Sequence, residues 1–260
     1  MKQQQELLKK IGYFLLSAFG IVAFVIIWHC ASVDSMIPSP WAAVQEAFAM
    51  LHKKLARYTL IEHILTSLTR ITVGFLLATL LGIVLGLVMG WNPLLRAIIK
   101  PIFDIFRPVP GLAWIPLFII WIGINETTNI VIIVAGAFIP VAMNTYHGIT
   151  NVDPLLVDAG KALGANSSQM LWNVVLPDSV PAIVAGMKTS LGSSWMAVVA
   201  SEMIVARKGL GFIILSAMEN QNFTMVVATM FFIAGGCAIY NYIFTQLERV
   251  LCPWEHLKEK

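Results

Sequence analysis

Long apolar runs separated by short polar breaks dominate the chain. The first, Ile11 to Ala31, contains no Asp, Glu, Lys or Arg. About 20 apolar residues suffice to cross a bilayer. The polar stretch before it carries Lys2, Lys9 and Lys10. Its apolar core is longer than a signal-peptide core, and Cys30-Ala31-Ser32 is a poor cleavage site, so it reads as a retained first span starting in the cytoplasm. Ser32 to Thr66 is mixed. Ile37-Pro38-Ser39-Pro40 reads as extended, because proline keeps the preceding residue out of the helical region. Trp41 to Leu55 has a helical stripe at Ala43, Val44, Ala47, Phe48 and Leu51, predicting a surface helix on the outer side. The charges of this segment (Asp34, Glu46, Lys53, Lys54, Arg57 and Glu62) balance.

Five more spans follow from the same pattern. Leu68 to Gly90 is the second, with Gly74, Gly82, Gly86 and Gly90 near one face. Small residues at this spacing let another helix approach closely; the pattern does not say whether that helix belongs to the same chain. Trp91-Asn92-Pro93 breaks the helix. Pro101 to Gly123 is an irregular third span, with Pro108, Pro110, Gly111 and Pro116; such breaks persist at membrane depth only where protein or water satisfies the backbone. Asn129 to Gly148 is the fourth span, broken by Pro140. Val180 to Val205 is the fifth, Arg207 to Asn222 a short outer or re-entrant segment, and Phe223 to Leu247 the sixth. The fold class is all-α, a polytopic membrane protein of about six spans. Residues 1–66 form an N-terminal span plus outer segment, 67–250 a core of five spans, and 251–260 a polar tail.

Composition agrees: 58% of residues are hydrophobic and 12% charged, about half the charged share of a soluble domain. A net charge of +3 gives no reason to expect nucleic acid. Arg96 and Lys100, in the loop after the second span, favour the cytoplasm. With the N-terminal lysines they place both termini inside and the polar loop between spans four and five on the same side. Cys30, Cys237 and Cys252 are far apart, which argues against a disulfide framework or a zinc site. His147 has no ligand partner at metal spacing.

That polar loop, Asn151 to Pro177, holds the chain's most informative stretch. Asp153 suits a helix N-cap and Pro154 a first helical position. Leu155, Leu156, Ala159 and Leu163 form one apolar face. Asp158-Ala159-Gly160 is followed by Gly164 and, after nine intervening residues, by Val174-Val175-Leu176-Pro177. This spacing resembles the Glu-Ala-Ala motif of ABC-transporter permeases, with Asp for Glu, Gly for the second Ala and Val for Ile. Arg107-Pro108-Val109-Pro110, Ile115 to Gly123, Gly136 to Pro140 with Asn144-Thr145-Tyr146, and Ala200 to Met203 with Gly209-Leu210-Gly211 extend the likeness. They resemble the nitrate, aliphatic-sulfonate and taurine branch of type I importers.

The resemblance implies a coupling helix over about 153–169. Asp158, Ala159, Gly160, Lys161, Leu163, Gly164, Leu176 and Pro177 would engage two copies of an ABC ATP-binding subunit. Gly160 and Gly164 would allow close approach to that subunit, and Leu176-Pro177 would end the connection. It also implies a second permease copy, expected as a homodimer, and a periplasmic or extracellular solute-binding protein. The setting would be a bacterial inner membrane, and the cargo an aliphatic sulfonate or taurine-like anion. Nitrate, bicarbonate or a small organic or heterocyclic nutrient are alternatives. No cofactor is expected on this chain: it contains no Gly-x4-Gly-Lys-Ser/Thr loop to cradle phosphate, so ATP and Mg would sit on the partner, and the chain itself would not be an enzyme. A self-sufficient secondary transporter would call for midplane carboxylates and repeats, and the sequence offers neither convincingly.

Candidate path residues are Asn144, Lys188, Ser190, Ser193, Ser194 and Trp195, although serines in membrane helices are commonly packing residues. Asp104 and Arg107, one turn apart, read as a mutually neutralising pair, and Glu202 reads as paired with Arg207.

Overall fold

The computed structural model describes residues 2–33 and 35–253, with side chains from Gly12 onward. Asp34, the side chains of the N-terminal lysines and most of the expected tail lie outside the described residues. Two compact units are present, residues 1–60 with 213–231, and residues 61–212 with 232–260.

In the first unit, α1 (Lys2–Ala31) is apolar enough to cross a membrane over Gly12–Ala31. α2 (Pro40–Met50) starts where Ser39 accepts a hydrogen bond from the Ala42 amide. The Trp28 indole donates to the Pro38 carbonyl at 3.0 Å and pins the α1–α2 turn. The expected surface helix stops at Met50. A two-residue hairpin, β1 (Lys54–Leu55) with β2 (Tyr58–Thr59), replaces its end. Its turn places Ala56 and Arg57 at positive φ, the backbone of a tight two-residue hairpin loop.

The second unit holds the core. α3 (Leu60–Trp91) begins well before the expected Leu68. It leads into α4 (Pro93–Phe106), a 3-10 turn (Gly111–Trp114), α5 (Ile115–Ile122) and α6 (Glu126–Thr150). Asn92 caps α4 by accepting from the Leu94 and Leu95 amides, so Asn92-Pro93 is a start as well as a break. The glycine stripe of α3 packs on α6 within this chain. A Cβ added to Gly74 would lie 2.6 Å from Ile133, at Gly82 2.7 Å from Val141, at Gly86 2.6 Å from Thr145 and at Gly90 2.8 Å from Ile149. Each partner lies 59 residues on, so the two helices are parallel.

Parallel α3 and α6 require the segment joining them to recross. The bent pair α4 and 3-10/α5 is therefore a full crossing, kinked by 85°, the irregular third span expected from its prolines. Pro101, placed at that span's start, lies inside α4. Pro140 likewise does not break α6, which is helical throughout. α9 (Leu176–Ile204) packs antiparallel to α6: Gly148 meets Ala182, Asn144 meets Gly186, and Gly136 meets Ala197. After α10 (Leu210–Glu219), α11 (Phe223–Leu251) contributes its part beyond Phe231 to this unit. The core joins Ile71, Phe75, Ile132, Ile133, Leu191, Trp195 and Val198. By length and composition five helices can cross a membrane, or six with the bent pair.

Candidate functional site

The polar loop between α6 and α9 folds into a short helix, α7 (Pro154–Ala162), smaller than the expected 153–169. Asp153 caps it, its carboxylate accepting from the Leu155 amide at 2.9 Å. The end is a Schellman turn: the Ala165 amide donates to the Gly160 carbonyl and the Gly164 amide to that of Lys161, with Gly164 at φ +78°. Asn166 and Gln169 then form a reciprocal capping box, opening α8 (Ser167–Met170). A π-turn over Leu171–Val175 joins α8 to α9, its Leu176 amide donating to the Leu171 carbonyl. Pro177 follows at once. A proline ring crowds the carbonyl four residues back, and the wide turn makes room for it. Leu176-Pro177 therefore does not end the connection: the helix runs on from Ser167 to Ile204.

α7 has two faces. Val157 and the buried Gly160 turn inward onto a cluster of Ile149, Val152, Met170, Leu171 and Val175. A Cβ on Gly160 would lie 2.8 Å from Met170. Gly160 is small to fit its own chain, which departs from the expectation of a glycine facing a partner, while Gly164 has nothing within 4 Å and a left-handed backbone. Outward, Leu155 is 74% and Leu163 88% exposed. Leu156 and Ala159 are also exposed and line a groove of about 480 Å³ with Leu163 and Pro177. Asp158 and Lys161 form an exposed ion pair at 3.4 Å. Beside this helix, Arg96 donates to the Met89 and Gly90 carbonyls at the end of α3, a favourable place for a cation.

The candidate path residues scatter. Ser190 is fully buried and donates to the Ala137 carbonyl at 2.6 Å, and Ser194, also fully buried, donates to Ser190. Trp195 is core, edge-on to Tyr240. Asn144 donates to Pro140 within α6. Ser193 is partly buried. Lys188 is exposed and pairs with Glu248 of α11 at 3.1 Å.

At the opposite end of the spans, Glu202 is fully buried, and its partner is Arg70, not the expected Arg207. Arg70 donates to Glu202 at 2.8 Å, to Glu126 and to the Lys208 carbonyl. Ser67 and the Gly211 amide also donate to Glu202. Arg70 drew no role from the sequence, although a cation inside an apolar run is a functional signal by default. The expected Asp104–Arg107 pair is also absent: Asp104 pairs with Lys100, one turn back on the same helix face.

Residues 78–251 match the family described as "Binding-protein-dependent transport system inner membrane component". The chain belongs to this family. It is 41% identical over 196 residues to the taurine transport system permease protein TauC of Escherichia coli (strain K12), spanning 75% of this chain and 71% of that protein. It is 33% identical over 200 residues to the putative aliphatic sulfonates transport permease protein SsuC of Bacillus subtilis (strain 168), covering 77% and 72%. To the nitrate import permease protein NrtB of Synechocystis it is 27% identical over 245 residues, covering 92% and 89%. Among solved structures, a chain of the inward-facing MetNI methionine ABC transporter superposes with a TM-score of 0.63 at 22% identity, over 74% of this chain and 95% of that one. As a family member, this protein is the permease of an ABC importer and sits in the inner membrane. The family match includes all of α7 and the π-turn and leaves α1 outside it.

Proposed function

We propose that this permease passes a small organic anion, a taurine-like or aliphatic sulfonate, and that α7 is its coupling helix. The observation that carries the coupling role is the outward apolar face of α7. Leu155 and Leu163 are more exposed than a folded chain needs, while the opposite face is locked by Gly160 against Met170. Such a helix transmits a push rigidly and offers an apolar surface to a cleft. The partner it fits is an ATP-hydrolysing subunit, present twice and holding ATP and Mg. Two permease copies and an external solute-binding protein complete the importer. Arg96 lies at the α7 end of the spans, beside Val157 and Lys161, which supports a cytoplasmic α7 and cytoplasmic termini.

The sulfonate reading rests on the names of the relatives at 41% and 33% identity; nitrate or bicarbonate is the second reading, on the lower-identity relatives. The test is co-purification with the ATP-binding subunit. Leu163→Asp is expected to abolish the association while leaving the permease folded in the membrane. Retained association in that variant removes the coupling role.

A further inference from the structure

We infer that Arg107, at the kink between α4 and the 3-10 turn, binds the acidic head of an organic anion whose apolar part enters the adjoining pocket. This deepens the cargo reading above and rests on it. Arg107 is exposed, and its side chain has no hydrogen-bond or ion-pair partner among the described residues. Asp104, one turn back, is taken by Lys100. The depth of the site follows from packing. Phe103 packs edge-on against Phe138 at 6.0 Å, and Phe138 is the middle residue of α6. Gly111 meets Gly136, one turn away. α6 is about 37 Å long, so the kink lies near the centre of a hydrocarbon layer of about 30 Å.

An unpaired arginine at that depth faces a watery cavity, not lipid. The Pro108-Val109-Pro110 kink also has backbone groups that need protein or water. The neighbouring pocket, of about 480 Å³, is lined by Phe103, Phe106, Trp114, Phe118 and Phe138 with Arg107 on its wall. One guanidinium beside an aromatic pocket matches one class of occupant: a sulfonate or carboxylate head, paired through two parallel hydrogen bonds, on a short apolar body. A bare inorganic anion leaves the aromatic walls unused.

The experiment uses the full chain, assembled with its ATP-binding subunit in nanodiscs, and 1-hexanesulfonate as the probe. Tryptophan fluorescence, with Trp114 in the pocket, reads saturable binding. Arg107→Gln is expected to weaken it about tenfold or more, the loss of one charge-assisted contact, and Arg107→Lys to restore part of it. 1-Hexanol is expected to show no dependence on residue 107. Arg107→Cys, with the three native cysteines replaced by serine, is expected to react with an anionic, membrane-impermeant methanethiosulfonate and to be protected by 1-hexanesulfonate. Equal binding by the wild type and Arg107→Gln, or no saturable binding, overturns the proposal. So does an unreactive position 107, which means that lipid or a second permease copy fills the pocket. Association of the permease with the ATP-binding subunit is measured separately by co-purification. Its failure sinks the coupling role, and the binding result, then taken on the permease alone, still decides Arg107.

Discussion

Arg70 and Glu202 face each other at 2.8 Å, Glu202 fully buried and Arg70 nearly so. The pair ties α3 to the C-terminal end of α9, and through the Lys208 carbonyl and the Gly211 amide it also holds the loop that follows and the start of α10. Gly209 belongs to the same arrangement. It sits at φ +135°, and the Glu202 carboxylate occupies the space that a side chain there would need.

Breaking one half of this pair should cost far more than replacing both. Arg70→Met leaves a buried carboxylate without its cation, at a cost of about 3–5 kcal/mol. The double change Arg70→Met with Glu202→Leu should recover most of that loss. Thermal unfolding in detergent decides it; a double variant no more stable than Arg70→Met would mean that the pair is not coupled as described.

The glycine stripe gives a second prediction. A Cβ on Gly86 would stand 2.5 Å from the Ala142 carbonyl oxygen, which cannot move without shifting α6. Gly86→Ala should lower stability by about 1–3 kcal/mol, the usual cost of overpacking. Gly192 has nothing within 4 Å, so Gly192→Ala should leave the melting temperature of the isolated permease unchanged. Equal melting temperatures for the two variants would contradict the parallel α3–α6 packing.

Around α7, stability and coupling should separate. Leu155→Asp lies on the exposed face and should leave unfolding unaffected while lowering stimulation of the partner's ATP hydrolysis about tenfold or more, as for a lost interface anchor. Gly160→Val should do the reverse first, pushing α7 off Met170 and destabilising the loop. Gly160→Ala should be milder, because the atom it meets is the flexible end of Met170. An ATPase rate that Leu155→Asp leaves intact argues for a purely structural α7.

Gly164 tests the backbone alone. With open space around it and φ +78°, its role is conformational, and left-handed geometry costs most residues about 1–2 kcal/mol but asparagine less. Gly164→Asn should therefore keep more coupled transport than Gly164→Ala, measured side by side in proteoliposomes. The opposite order would mean that a side chain at 164 meets the partner directly.

Lys188 should contribute little to stability. It and Glu248 are both partly exposed, and such pairs contribute at most about 1 kcal/mol. Lys188→Met should leave the melting temperature nearly unchanged; a large drop would reveal a load on α11 that this geometry does not account for.

Much of this architecture was legible in the order of residues, for local reasons. Apolar runs long enough for a bilayer give the spans. Asp153-Pro154 and Gly164 give the two ends of α7, because caps and left-handed turns depend on neighbours within a few positions. The spacing from Asp158 to Pro177 gives the family. The breaks were less legible. Pro101 and Pro140 stay inside helices, and the π-turn before Pro177 has no signature of its own.

What the order of residues left open were the partners across the fold. Four glycines predict a close contact, but only the packing reveals that α6, 59 residues on, supplies it. Glu202 has Arg207 five residues away and pairs instead with Arg70, 132 residues distant. Asp104 has Arg107 within one turn and pairs with Lys100. A charge chooses its partner by direction and distance in three dimensions, and side-chain directions on a helix follow from its position among its neighbours. Sequence thus determined which segments are long and apolar enough to cross; tertiary structure decided which charges are matched, Arg70 with Glu202 and Lys100 with Asp104.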